Sequence, residues 1–299
     1  MGSASLPARL QEHAPACYNP RAMTPSPRLL LTIDYESWFA PSRRYDFLPP
    51  ETRFNLDEGL SRQAIDPILD IFGDSKVTFY LVGEMVGWYP ELPEKISKAG
   101  HEVGFHCHIH RRLDDANEIE KDLIASAGWI QKYNVRGYRA PMINTVEGVY
   151  PLLAKHNFLY SSSQYAPAGV AVKKGGVWEI PVSTLPLLKM PDEFNAPRYM
   201  NLKLVAGGEF PYGSSFTSGL FRRTVYKIIE REFKAGKSPV IFLHPYEIVT
   251  PAGYPRRFVV DMLHHPLLFP FTFNKSKFLK DLLKNFPTST MQDYIKELQ

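Results

Sequence analysis

The densest chemistry in the chain is the run His101–His110, HEVGFHCHIH. Four of the nine histidines of the sequence fall inside it. His106 and His110 are four residues apart, so a helical turn or a tight loop sets both imidazoles on one side, with His108 facing away. Two neutral imidazoles converging on one point supply most of a divalent-metal site, which then lacks only a carboxylate and an open position. Taken alone, the spacing equally fits a polar loop that happens to hold histidines. Arg111 and Arg112 read as solvated, and Cys107 as packing between better-spaced donors.

The missing groups sit where apolar runs stop. Arg28 to Ile33 (RLLLTI) reads as a buried strand and is followed at once by Asp34-Tyr35-Glu36. Arg139 sits within GYRAP, which closes a later strand, and His244 follows VIFL. In parallel α/β folds the carboxyl ends of the strands share one edge, and sites are built there. Asp34, Glu36, His106, His110, Arg139 and His244 can therefore converge. Two imidazoles and a carboxylate would hold a metal, a second carboxylate would act as base, and a further histidine would protonate a leaving amine. That is equipment for metal-assisted amide or ester hydrolysis.

The elements needed to position these groups recur as strand then helix, about seven times. Strands are predicted over 28–33, 77–82, 101–105, 137–141, from 160, over 177–181 and over 240–243. Helices are predicted over 56–72, 84–99, 119–133, 146–156, 221–235 and 275–284, with a final turn and helix over 288–299. The 56–72 segment has Leu60, Ile65, Ile68, Leu69 and Phe72 on one face, and Pro90 and Pro93 make the start of 84–99 irregular. Residues 183–215, rich in Pro, Gly and Asn, are expected to form a long irregular loop. Alternating strands and helices imply right-handed βαβ units and a parallel sheet. A closed or nearly closed (β/α) barrel fits the length best, with an open doubly wound sheet second. No glycine-rich phosphate loop occurs, which disfavours a nucleotide fold.

Composition sets the outer bounds. The 299 residues suffice for one large core, and 44% apolar with 22% charged residues is ordinary for a globular protein. The net charge of +4 is spread without a basic block, so no nucleic-acid partner is expected. Two cysteines in unlike contexts, Cys17 and Cys107, argue against a disulfide framework. No run has the length of a transmembrane helix. The first 28 residues carry five prolines and no continuous apolar core, so a disordered arm is expected over 1–28, a single domain over 29–299, and a cytoplasmic location. The oligomeric state is not legible.

Five motifs, in order, resemble the polysaccharide deacetylases, the NodB-homology group of carbohydrate esterases. LLLTIDYES resembles the first motif, GHEVGFHCHIHRRL the second and GYRAP the third. VWEIP stands where a tryptophan-bearing motif is expected, and VIFLHPYE resembles the last. The stretch TFYLVGEMVGWYPELPEKISKAGHEVGFH is similar to the strand–helix lead into the second motif. The resemblance covers residues 29–250. It implies a distorted (β/α)7 barrel that removes an N-acetyl or similar small N-acyl group from a carbohydrate through metal-activated water. The metal implied is zinc, with cobalt or nickel as alternatives. Asp34 then resembles the base, Arg139 the residue that orients it, His244 the general acid, His106 and His110 metal ligands, and Trp178 an aromatic wall near the acyl group.

Two positions depart from the family form. Tyr35 stands where the second aspartate is usual, so Glu36 becomes the carboxylate ligand and Tyr35 a candidate substrate contact. Met142 replaces the usual aromatic after Pro141. It is a second candidate substrate contact, tolerable if the backbone N–H there holds the oxyanion. Tyr246 and Glu247 lie beside His244 and either orient it or pack; His264-His265 reads as surface or lid. Two alternatives stand beside the metal hydrolase. One is a metal-independent relative acting on a small amide or ureide; the other is an inactive barrel that binds glycan.

Overall fold

The computed structural model describes residues 26–187, 204 and 208–299. The strands run in chain order: β1 (Leu30–Tyr35), β2 (Thr78–Val82), β3 (Glu102–Cys107), β4 (Gly137–Tyr138), β5 (Tyr160–Ser161), β6 (Tyr165–Pro167), β7 (Val172–Lys174), β8 (Val177–Glu179), β9 (Val182–Pro186), β10 (Glu209–Phe210) and β11 (Val240–Leu243). One curled sheet has the order β11-β1-β2-β3-β4-β5-β8-β7, and a small sheet has the order β10-β9-β6. Every neighbour pair from β11 to β8 is parallel, so seven strands point their carboxyl ends the same way. β7 adds an antiparallel edge.

The curl is bridged rather than closed. The β11 amides of Phe242 and Val240 turn to the Gly213 carbonyl at 3.0 Å and the Ser183 hydroxyl at 2.8 Å, beside β9. This is the distorted barrel that the strand–helix alternation and the family resemblance imply.

Period-two alternation explains how each strand divides its side chains. On β1, Leu31, Ile33 and Tyr35 join the large core between sheet and helices. Leu30 joins the inner cluster with Tyr80, Tyr160, Val240 and Phe242. The inner space is floored by the helix Met291–Leu298: Met291 N–H donates to Thr78 Oγ1 at 2.9 Å, and Gln292 N–H to Glu102 Oε2 at 3.0 Å. Tyr160 donates to the other Glu102 oxygen at 2.6 Å. Gly104 and Gly137 make room for these rings, because a Cβ on Gly137 would lie 2.0 Å from the Tyr160 oxygen and one on Gly104 2.5 Å from the Tyr80 ring.

The helices differ from expectation in a few places. The predicted 56–72 helix is two, Pro50–Asp57 and Leu60–Phe72, parted at Glu58 and Gly59, both at positive φ. The 84–99 helix is also two, Gly83–Trp88 and Leu92–Lys98, broken at Tyr89-Pro90 where proline removes a donor. The expectation of a structureless 183–215 is corrected: β9, β10 and the start of the helix Ser215–Leu220 fall within it. Residues 188–203 and 205–207 of that stretch lie outside the described residues, as do residues 1–25 of the predicted arm. Among the described residues, no helix is long and apolar enough to cross a membrane.

Candidate active site

Strand β3 runs two residues further than predicted, to Cys107, so His106 sits on the strand itself and faces inward. His110 lies in the bend that follows. Asp122, from the helix Ala116–Lys132, fastens that bend: it accepts the His108 N–H at 2.8 Å and an Arg111 N–H at 3.1 Å. His108 does face away, with Nδ1 3.1 Å from Ser126 Oγ. Arg111 is thus structural, while Arg112 pairs at the surface with Asp114. His101 is a core aromatic between Phe72 and Phe79, and burial lowers its imidazole to about 4. Cys107 packs in the large core, where burial pushes its thiol up.

The chain turns tightly after β1. Glu36 N–H bonds back to the Asp34 carbonyl at 3.1 Å. Glu36 Oε2 then lies 2.9 Å from His110 Nε2 and 3.7 Å from His106 Nε2. One donor atom from each of Glu36, His106 and His110 falls within 4.8 Å of the others. His106 Nδ1 faces the Arg139 carbonyl at 2.7 Å. A carbonyl only accepts, so the proton sits on Nδ1 and the Nε2 lone pair is left toward Glu36. Burial pushes the Glu36 carboxyl up, but His110 and His244 hold it well below the usual range. Burial lowers His110, yet Glu36 leaves it raised on balance.

Asp34 and Arg139 form the second layer. Both are buried, and an Arg139 Nη1 proton reaches Asp34 Oδ1 at 3.3 Å. The other Arg139 nitrogen donates to Ser162 at 2.9 Å and Thr32 at 3.3 Å. Tyr80 lies beneath the guanidinium, 4.7 Å from its carbon. This packing fixes both the guanidinium plane and the carboxylate it meets.

His244 follows β11 and caps the helix Pro245–Ile248. Glu247 accepts the His244 backbone N–H at 2.9 Å and stands 3.0 Å from its Nδ1. Behind it is Lys275, fully buried, whose ammonium bonds to Glu247 and to the Ser215 carbonyl at 2.8 Å. Burial raises Glu247, but Lys275 and then His244 pull it down to about 2. Burial lowers His244, while Glu247 and Glu36 raise it above an ordinary histidine. Its free Nε2 points to Glu36 Oε1 at 3.5 Å. Tyr246 stacks on the His244 ring at 5.1 Å and 7° and donates its hydroxyl to Glu36 Oε1 at 2.8 Å.

The structure therefore gathers Asp34, Glu36, His106, His110, Arg139 and His244 at one strand edge. Met142, three residues after Arg139, is 37% exposed and has φ of 56°. Its neighbours Ile143 and Asn144 donate to the Ala140 and Pro141 carbonyls, a turn in which the Met142 N–H takes no part.

Two expectations change. Tyr35 is not a substrate contact: strand alternation sends it into the large core, where its hydroxyl donates to the Ser61 carbonyl at 2.6 Å. Trp178 pairs in register with Tyr160 and packs against the inner cluster, whereas the residue level with Arg139 and Ser162 is Ile180. Lys275 and Ser162 were not foreseen. Lys275 opens a helix after an apolar stretch, with no local pattern tying it to Glu247. Glu247 was legible, as an acid three residues after a strand-end residue followed by proline.

Comparison with known proteins agrees with this layout. Residues 54–159 match the profile of the polysaccharide deacetylase family. A 72-residue segment, 23% of this chain, is 32% identical to the peptidoglycan-N-acetylglucosamine deacetylase of Bacillus cereus and spans 26% of that protein. The fold is similar to that of a polysaccharide deacetylase, described as putative, from Mycobacterium smegmatis. That likeness has TM-score 0.52 and 20% identity, over 94% of this chain and 98% of the other. It is also similar to Puue allantoinase, with TM-score 0.50 and 15% identity over 88% and 91% of the two chains. The matched segment holds His106, His110 and Arg139. Asp34, Glu36 and His244 lie outside it and are brought to it by the fold.

Proposed function

We propose that this chain, whose residues 54–159 match the model of the polysaccharide deacetylase family, is a hydrolase that removes an N-acetyl or similar small N-acyl group from a carbohydrate. The observation that carries the reading is the meeting of Glu36, His106 and His110 within 4.8 Å beside Asp34 and His244. Two imidazole nitrogens and one carboxylate match the three-ligand set of an open catalytic zinc site. We assign Glu36, His106 and His110 to a divalent cation, zinc first, then cobalt or nickel. Bound there, the cation would supply Lewis acidity and lower the pKa of a water.

The chain's own groups do the rest. Asp34, held by Arg139, takes the proton of the attacking water. The Met142 N–H donates to the oxygen that becomes negative. His244, whose hold on a proton is strengthened by Glu247 and Glu36, gives its Nε2 proton to the departing nitrogen. Glu247 fixes the tautomer by accepting from Nδ1. The single domain over 29–299 is part of the proposal, because motifs from both ends of that range build one site.

The test is acetate release from N-acetylglucosamine oligomers and peptidoglycan fragments. Release by the wild type, with loss in Asp34→Asn and in His244→Ala at unchanged metal content, supports the reading. Equal release from all three proteins contradicts it.

A further inference from the structure

We infer that the rim of the active-site mouth is a docking surface for an anionic lipid bilayer. Between β11 and the helix Ser276–Asn285 the chain makes an excursion through the short helices Tyr254–Arg257 and Val259–His264 and the 3-10 turn Pro266–Thr272. This excursion lies against the site: Phe271 meets the His244 ring at 5.6 Å, and Tyr254 meets Tyr246 at 5.5 Å. Its inner residues pack with Trp38 and Phe39. Its outer residues are large, apolar and exposed, with Phe269 resting edge-on against Phe273 at 4.8 Å. Leu263 is 77% exposed, Leu267 72% and Phe269 50%. A soluble surface carries single residues of this kind, but neighbours in one segment mark a contact face.

The charge around this face says what the partner is. Ser42 and Tyr45 donate to Asp261 at 2.6 and 3.1 Å, which joins the turn Arg43–Tyr45 to the helix Val259–His264. That turn presents Arg43 and Arg44 and is followed by Phe47, 86% exposed. On the other flank Gly219 abuts the Pro270 carbonyl, which brings Phe221, Arg222 and Arg223 to the same rim. Within 41–48, 220–224 and 256–273 the acids are Asp46 and Asp261, both buried. Arg257 is paired with Glu58 at 2.6 Å, and the remaining exposed charges of these segments, Arg43, Arg44, Arg223 and Arg256 among them, are basic. Protruding aliphatic and aromatic groups set among arginines match a bilayer interface bearing anionic headgroups, where apolar insertion and electrostatic attraction add.

The docking itself stands on the rim alone. It rests on the proposed amide hydrolysis only for its consequence, that the acylated sugar lies at the bilayer surface, as the headgroup of a lipid. The experiment is flotation of the full chain with phosphatidylcholine vesicles, with and without phosphatidylglycerol. The protein is expected to float with the anionic vesicles and be released by high salt. Leu263→Ser/Leu267→Ser/Phe269→Ser and, separately, Arg43→Gln/Arg44→Gln are each expected to lose roughly tenfold in partitioning. Acetate release from a soluble glycan and the thermal midpoint should stay at wild-type values; the arginine pair lies wholly at the surface and serves if the triple variant misfolds. Three results overturn the inference: no flotation with phosphatidylglycerol at low salt, both variants floating like wild type, or light scattering that shows a dimer which the triple variant makes monomeric. Flotation without acetate release would leave the surface standing and remove the proposed reaction instead.

Discussion

Glu36 and His110 meet at 2.9 Å, from a strand-end turn and a loop bend that are far apart in sequence. The contact exists because β1 and β3 both flank β2 in one parallel sheet, so their carboxyl ends open onto the same edge. Glu36 is buried, and its other oxygen is held by Tyr246. A buried carboxylate without such partners would be neutral.

Tyr246 should therefore matter to metal binding without touching the metal. In Tyr246→Phe the ring still stacks on His244, but Glu36 loses its hydroxyl partner. Affinity for zinc is expected to fall roughly ten- to a hundredfold, the usual effect of removing a hydrogen bond to a ligating group. Competition against a chelator measures it, with the thermal midpoint near that of wild type.

The raised His110 predicts how metal binding depends on pH. Protonated imidazole must lose its proton to bind, so metal binding releases protons. Glu36 holds that proton on His110 above the histidine reference near ~6.5. Zinc affinity should therefore begin to weaken as pH falls from above that value, and in Glu36→Gln the weaker residual binding should begin to fall only at lower pH. Calorimetric titration in two buffers of different ionisation enthalpy counts the protons released.

The Glu247 carboxyl, depressed to about 2 by Lys275 and His244, gives an acid-stability prediction. Its contribution is complete above the unfolded carboxyl value of about 4.3 and is lost as pH falls toward the folded value. Urea midpoints taken between pH 5 and pH 2 should drop in the wild type. Glu247→Gln should lack that part of the slope and start lower, by about 3 kcal/mol, because Lys275 is left as an unpaired buried charge. The same variant should lose kcat while keeping its metal.

Gly137 tests the packing under the site. Gly137→Ala puts a methyl 2.0 Å from the Tyr160 oxygen, and a loss of about 1–3 kcal/mol is expected from forced overpacking. In a Tyr160→Ala background the alanine should be nearly neutral. Denaturation of the four proteins of this cycle gives the coupling directly.

Much of this architecture is legible in the residue order. RLLLTI, VTFYLV and VIFL are buried on both faces and read as strands, and the groups that follow them are the site. The two-residue strands β4 and β5 are fixed by pairing, since so short a run shows no period. The two-residue β10 shows no period either, and the five-residue β9 lies at the start of a segment whose Pro, Gly and Asn content reads as a loop. Tyr35 was misassigned because position in a motif does not reveal the face, whereas alternation from Asp34 does. Lys275 was missed because its partner Glu247 is brought to it only by the excursion after β11. His264-His265 reads as surface or lid from the sequence, while the exposure of Leu263, Leu267 and Phe269 around it is visible only once the packing of each side chain is known.

The central claim is that Glu36, His106 and His110 together hold a divalent metal, and metal content of the purified protein tests it most directly. Wild type, His106→Ala and Glu36→Ala are measured side by side after addition and removal of excess zinc. Near-stoichiometric metal in the wild type, lost in both variants, is the predicted result. Metal kept in Glu36→Ala would take that carboxylate out of the ligand set, and no metal in the wild type after zinc addition would contradict the account and favour the metal-free amide hydrolase.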